Sequence, residues 1–100
     1  MTTIVLFNLQ IFEDSIMNDL QLLAEVGSKI KKIRTEKKLS QNDLAMLCNF
    51  EKASMSRIEA GKTNVTLLTL KKISDALKVR VLDLLSDGVA TDGIAGDDQP

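Results

Sequence analysis

SQNDLAMLCNFEKASMSRIEAGK, Ser40–Lys62, is the stretch that decides the fold. Ser40 and Asp43 have the S-x-x-D form of an N-terminal capping box, so a helix starts at Gln41. It runs to about Cys48, burying Leu44, Leu47 and Cys48 and carrying small Ala45. Asn49 follows where a helix end wants a residue that tolerates the left-handed region. A second helix, about Lys52 to Ala60, turns Met55 and Ile58 inward. Phe50 packs ahead of it as a staple and Gly61 stops it. Two short helices joined by a three- or four-residue turn have the spacing of a helix-turn-helix. Ala45 is small where the pair would cross closely. Lys52/Ser56 and Ala53/Arg57 are i, i+4 pairs, so they form a stripe on the face away from Met55 and Ile58. A long cationic side chain at each end of such a stripe, with small residues between, suits a helix lying in a major groove about 12 Å wide. The competing reading is a solvated helix face.

Working outward, Ile16, Leu20, Leu23, Val26, Ile30 and Ile33 step by three or four. This periodicity predicts a helix from about Asn18 to Lys38, with Gly27 a weak point and Ser28 offering a cap for a second start. Before it, Val5, Phe7, Leu9 and Ile11 alternate, and residues 3–12 are therefore expected to form a strand. Downstream, Thr66 caps a helix through Lys78 whose stripe is Leu67, Leu70, Ile73 and Leu77. Val81, Leu82, Leu84 and Leu85 make a last short helix. The tail after Ser86 has neither period nor bulk and is expected to be disordered. The expected organisation is an N-terminal extension over 1–16, a helical domain over 17–86 and a flexible acidic tail over 87–100.

The chain of 100 residues fits one small domain, and its 3% aromatic content, with one Pro and no Trp or Tyr, favours an all-α, Leu/Ile/Ala-packed core. With no His and a single Cys, Cys48, there is neither a transition-metal set nor a Cys/His catalytic pair. No metal, no cofactor and no enzyme activity are expected, and one Cys fits a reducing, cytoplasmic home. No apolar run approaches the roughly 18–20 residues of a membrane span, and the N-terminus lacks the flanks of a signal peptide. Net charge is only −1, but its distribution is uneven. Residues 1–27 hold four acids and no base; residues 28–78 hold twelve Lys/Arg against five acids; residues 79–100 hold Arg80 against five Asp. A basic middle between acidic ends fits a nucleic-acid-binding module with non-contacting flanks.

Read together, the motifs resemble the Cro/phage-repressor-like (XRE-type) helix-turn-helix family over about Gly27 to Leu85. The carrying residues are Ile30, Ile33-Arg34, Leu39-Ser40-Gln41, Leu44-Ala45, Met55-Ser56-Arg57-Ile58-Glu59, Gly61-Lys62, Leu77-Lys78-Val79 and Leu84-Leu85. The resemblance implies a five-helix, lambda-repressor-like domain that binds double-stranded DNA, usually as a homodimer on an inverted repeat. It makes Glu51, Lys52, Ala53, Ser56 and Arg57 the residues that approach base edges. It makes Gln41, Lys62, Thr63 and Asn64 the backbone-contact residues; a helix start with free N–H groups is suited to a phosphate. It also implies a partly buried salt bridge between Arg34 and Glu59. Two positions depart from the family: Glu51 stands where many relatives have a Ser or Thr cap, and Val65 where many have Pro. Glu51 repels phosphate but could accept from a cytosine amine, while Arg57 suits the O6/N7 edge of guanine or a phosphate.

The function expected is that of a sequence-specific transcriptional regulator. Alternatives are an antitoxin or restriction-modification controller governed by a protein partner, and a protein-interaction module that does not bind DNA. For residues 1–16 two readings stand: strands that pair between subunits, or an upstream segment preceding a true start at Met17.

Overall fold

A computed structural model describes residues 2–85, and the tail expected over 87–100 lies outside the described residues. Five helices follow one another: α1 (Thr2–Glu36), α2 (Gln41–Cys48), α3 (Lys52–Glu59), α4 (Leu67–Leu77) and α5 (Val81–Leu85). Among the described residues there is no strand.

The expected strand over residues 3–12 is therefore corrected: those residues are the start of α1. A lone strand has no neighbour to satisfy its N–H and C=O groups, whereas a helix satisfies them within itself. No Gly or Pro separates the segment from the periodic stretch after Ile16, so the helix runs on through 35 residues. It also runs through Gly27 and Ser28, so there is no second start. Gly27 is needed for space instead. A Cβ there would collide with the backbone carbonyl oxygens of Ile58 and Glu59 at the end of α3.

The boundaries of α2, α3 and α4 are set by local chemistry. Ser40 Oγ accepts from Asp43 N–H at 2.9 Å while Asp43 Oδ2 accepts from Ser40 N–H at 2.9 Å, closing the capping box. Hydrogen bonding from Ser40, first from its backbone N–H and then from its side chain, holds the Asp43 carboxyl below the usual range. Asn49, at φ 61, ends α2 in the left-handed region, and Phe50 N–H closes back on Ala45 O at 2.8 Å. Gly61, at φ 71, turns the chain out of α3. Its missing side chain leaves room for the Ala24 backbone of α1. Thr66 Oγ1 accepts from Thr69 N–H at 3.1 Å at the head of α4, and Lys78 ends it at φ 61.

The core is built from Val26 and Ile30 of α1, Leu44, Ala45 and Cys48 of α2, Met55 and Ile58 of α3, Leu70, Ile73 and Leu77 of α4, and Leu84 of α5. Two expectations fail here. Leu47 and Leu67, each at the margin of an apolar stripe, are 61% and 70% exposed. The core of a five-helix array this small is wide enough for only one or two rows of side chains per short helix. Ile16 and Leu20, in line with the α1 stripe, are also exposed, because α1 outruns the helices it packs on.

Candidate nucleic-acid interface

α3 is held from both sides by its last residue. Glu59 is buried, and its carboxylate takes two parallel bonds from Arg34: Nε donates to Oε2 at 2.7 Å and Nη2 donates to Oε1 at 3.0 Å. Gln41 Nε2, from the first turn of α2, donates to the same Oε1 at 2.9 Å. Arg34 Nη1 also donates to Leu39 O at 2.8 Å, in the turn before α2. The fork-on-fork geometry fixes direction as well as distance. One carboxylate thus joins α1, the α1–α2 turn, α2 and α3. Both side chains are nearly dry, 9% exposed for Arg34 and 3% for Glu59. Removing either would strand the other's charge at a cost of about 3–5 kcal/mol.

The bond from Gln41 to Glu59 was not legible in the sequence, where Gln41 is assigned to DNA backbone alone. The residues are eighteen positions apart, and no spacing rule links them. One amide N–H is committed to Glu59, which leaves the second N–H and the oxygen for another partner.

With Met55 and Ile58 buried, the opposite edge of α3 presents Lys52, Ala53, Ser56 and Arg57, all exposed. Glu51, also exposed, is the N-cap of α3 and makes no side-chain capping bond. The helix therefore starts on backbone geometry alone, a weaker start than a Ser or Thr would supply. Beyond α3, Lys62 and Asn64 are exposed and Thr63 is half-buried. A cleft of about 190 Å³ lies between α3 and the head of α4, lined by Ser54, Arg57, Ile58, Thr63, Asn64 and Thr69 among others. Among the described residues, Lys52, Arg57 and Lys62 have no carboxylate within salt-bridge distance, whereas Lys32, Lys71 and Arg80 each have one. The structure thus gathers the sequence-assigned residues into one exposed edge with unneutralised cations. The acid Glu59 is turned inside, away from it.

Cys48 is buried, its Sγ donating to Lys72 O at 3.7 Å. Burial pushes its thiol pKa up, against a smaller pull from Lys72, which leaves it a poor nucleophile. No group of side chains that could hold a metal occurs among the described residues, and none of their helices is long and apolar enough to cross a membrane.

The chain belongs to the helix-turn-helix family, whose profile matches residues 30–84. It is 42% identical over 72 residues to the control protein C.MunI of Mycoplasma sp, a match covering 71% of this chain and 95% of that protein. It is likewise 42% identical over 69 residues to the control protein C.BamHI of Bacillus amyloliquefaciens, covering 68% of this chain and 83% of that one. In three dimensions it is similar to the restriction-modification controller protein C.AhdI from Aeromonas hydrophila. That match has a TM-score of 0.61 and 32% identity, and covers 62% of this chain and 94% of that one.

Proposed function

We propose that this protein is a cytoplasmic, sequence-specific transcriptional regulator that binds an inverted-repeat operator as a homodimer, with α3 in the major groove. The observation that carries this reading is the exposed edge Lys52–Ala53–Ser56–Arg57 on a helix whose only buried acid, Glu59, is neutralised from behind. On this reading Arg57 donates bidentately to guanine O6/N7, worth about 1–3 kcal/mol of discrimination. Lys52 reaches a base or phosphate, Ser56 a base edge, and Ala53 a thymine methyl. Glu51, uncapped and exposed, accepts from a cytosine amine and disfavours other bases at that place. Lys62, Thr63, Asn64 and the free half of the Gln41 amide hold the phosphate backbone, which positions α3 without reading sequence.

The similarity to C.MunI, C.BamHI and C.AhdI favours one setting over the others: control of restriction-modification genes. Binding to the protein's own promoter region against random duplex, over a salt series, tests the general reading. The expected result is a clear preference for the promoter and affinity that falls steeply with salt. Equal affinity for both duplexes would exclude sequence specificity. Arg57→Ala is expected to relax specificity at one position. Lys62→Ala is expected to weaken all sequences alike and shallow the salt slope by about one. The gene-control setting is tested by transcription from the promoters of adjacent restriction and modification genes with and without the protein. Unchanged transcription would exclude it.

A further inference from the structure

The N-terminal half of α1 carries an uncovered apolar line. Leu9, Ile16 and Leu20 are 49%, 41% and 52% exposed, and burial begins only around Leu23 and Val26. At about 100° of turn per residue, Leu9, Ile16, Leu20 and Leu23 fall within about 60° of one another around the helix. Their line is about 21 Å long at about 1.5 Å per residue. It leads on to Gly27, whose backbone meets the last carbonyls of α3.

Two acids border this line. Glu13 lies about 60° to one side of Ile16 and Asp19 about 60° to the other, and both are exposed. Asp14 and Glu25 sit on the far side of the helix, where they accept from Gln10 at 3.0 Å and from Gln21 at 3.1 Å. Glu13 and Asp19 have no such partner among the described residues. Residues 1–27 contain no Lys or Arg, so this segment supplies no cation for them. Charges on either edge of an apolar stripe are the ones that choose a partner helix.

The borders decide among occupants. If two copies laid these segments together, acid would face acid along both edges. DNA and an anionic lipid surface are repelled in the same way, and so is the chain's own tail, with Asp87, Asp92, Asp97 and Asp98. An amphipathic helix with Lys or Arg on both edges of its own apolar stripe satisfies the line and its borders together. We infer that residues 9–23 of α1 dock such a basic-edged helix of another protein. A face about 21 Å by 10 Å presents about 200 Å², so the pair buries about 400 Å². That is well under the roughly 1,200 Å² of a stable specific interface, so apolar contact alone holds the partner weakly. The opposed charges supply the rest, and binding loosens as salt rises. The same acids penalise self-pairing, which is how one charge pattern both selects and excludes. This inference goes beyond the DNA-binding reading and does not rest on it.

The probe is a synthetic helical peptide of about three heptads, with a Leu stripe edged on both sides by Lys, titrated with the full chain and followed by fluorescence anisotropy. It is expected to bind at low salt, and Glu13→Lys with Asp19→Lys is expected to weaken it about tenfold or more. Asp14→Lys with Glu25→Lys changes the net charge equally on the far side, and binding is expected to stay within about twofold. Ile16→Asp adds an acid but removes the apolar centre, so it is expected to weaken binding about tenfold. All these residues are exposed, so the domain should melt unchanged in each variant. Absence of binding to the native chain, or equal losses in the two double variants, would overturn the inference. So would tighter binding in Ile16→Asp, the mark of charge attraction without a seat. Other occupants have their own signatures. A dimer of the chain alone, seen by sedimentation and dissolved by Ile16→Asp, would give the line to a second copy. Pelleting with vesicles of phosphatidylcholine and phosphatidylglycerol, lost in Ile16→Asp, would give it to lipid. Either result refutes a basic-edged protein partner.

Discussion

The two halves of α1 carry the same kind of sequence and meet different fates. Residues 23–36 lay Val26 and Ile30 into the core, press Gly27 on α3 and tie Arg34 to Glu59. Residues 9–22 repeat the apolar spacing with Leu9, Ile16 and Leu20 and leave them exposed. The difference is supplied entirely by what lies opposite. An apolar stripe states that a face is to be covered, not by which element, nor whether by the same chain.

That comparison can be broken by substitution, beginning with the largest effect. Arg34→Ala should cost about 3–5 kcal/mol in chemical denaturation, because it leaves a buried carboxylate with only Gln41 beside it. A loss under 1 kcal/mol would mean that Glu59 finds water. Gly27→Ala should cost about 1–3 kcal/mol, since the new methyl meets backbone carbonyls that cannot step aside as a side chain would. It should also disturb DNA binding by tilting α3; a neutral result would put α1 farther from α3 than the structure has it. In the other half of the same helix, Leu20→Ala should change monomer stability by no more than about 0.5 kcal/mol, although it deletes a larger group than Gly27→Ala adds. A cost of several kcal/mol would place Leu20 within the folding core. Smallest is Lys32→Ala, which removes an exposed i, i+4 contact to Glu36 at 3.8 Å and should cost about 0.3–0.5 kcal/mol.

A pH titration separates the caps from the core. Asp43, bonded to Ser40, and Asp83, bonded first through the Arg80 side chain and then its backbone, both have carboxyl pKa values lowered in the folded state. A lowered pKa stabilises the fold above the unfolded value of 3.8 and ceases to do so as pH falls through the folded value. Thermal melts should therefore lose a small increment below pH 3.8, and Asp43→Asn should remove part of that pH dependence. An identical profile in the variant would show that the capping box contributes nothing to it.

Much of this was legible because it is local. Ser40 with Asp43, Asn49, Gly61 and Thr66 each place a helix end within a few residues of themselves, and the structure puts α2, α3 and α4 between those marks. The same locality explains the errors. Alternation at Val5, Phe7, Leu9 and Ile11 imitates a strand, because a period of two fits some positions of a helix that is apolar on more than one side. Leu47 and Leu67 were placed inside because periodicity gives the direction of a face and not its width. At the reading edge, Lys52, Ala53, Ser56 and Arg57 could be chosen by their spacing from Met55 and Ile58. The link from Gln41 to Glu59 could not.

The sequence by itself determined where the short helices begin and end, which edge of α3 is apolar, and that the middle of the chain is basic between acidic ends. These follow from capping, helical period and charge, all of which act over a few residues. Only the tertiary structure decided that Glu59 is satisfied by Arg34 and Gln41 together, that Gly27 exists to let two backbones touch, and that Leu9, Ile16 and Leu20 of α1 stay exposed. Each depends on groups brought together from distant positions, and a hydrogen bond or a steric contact is set by separation in space, to which separation in sequence is no guide.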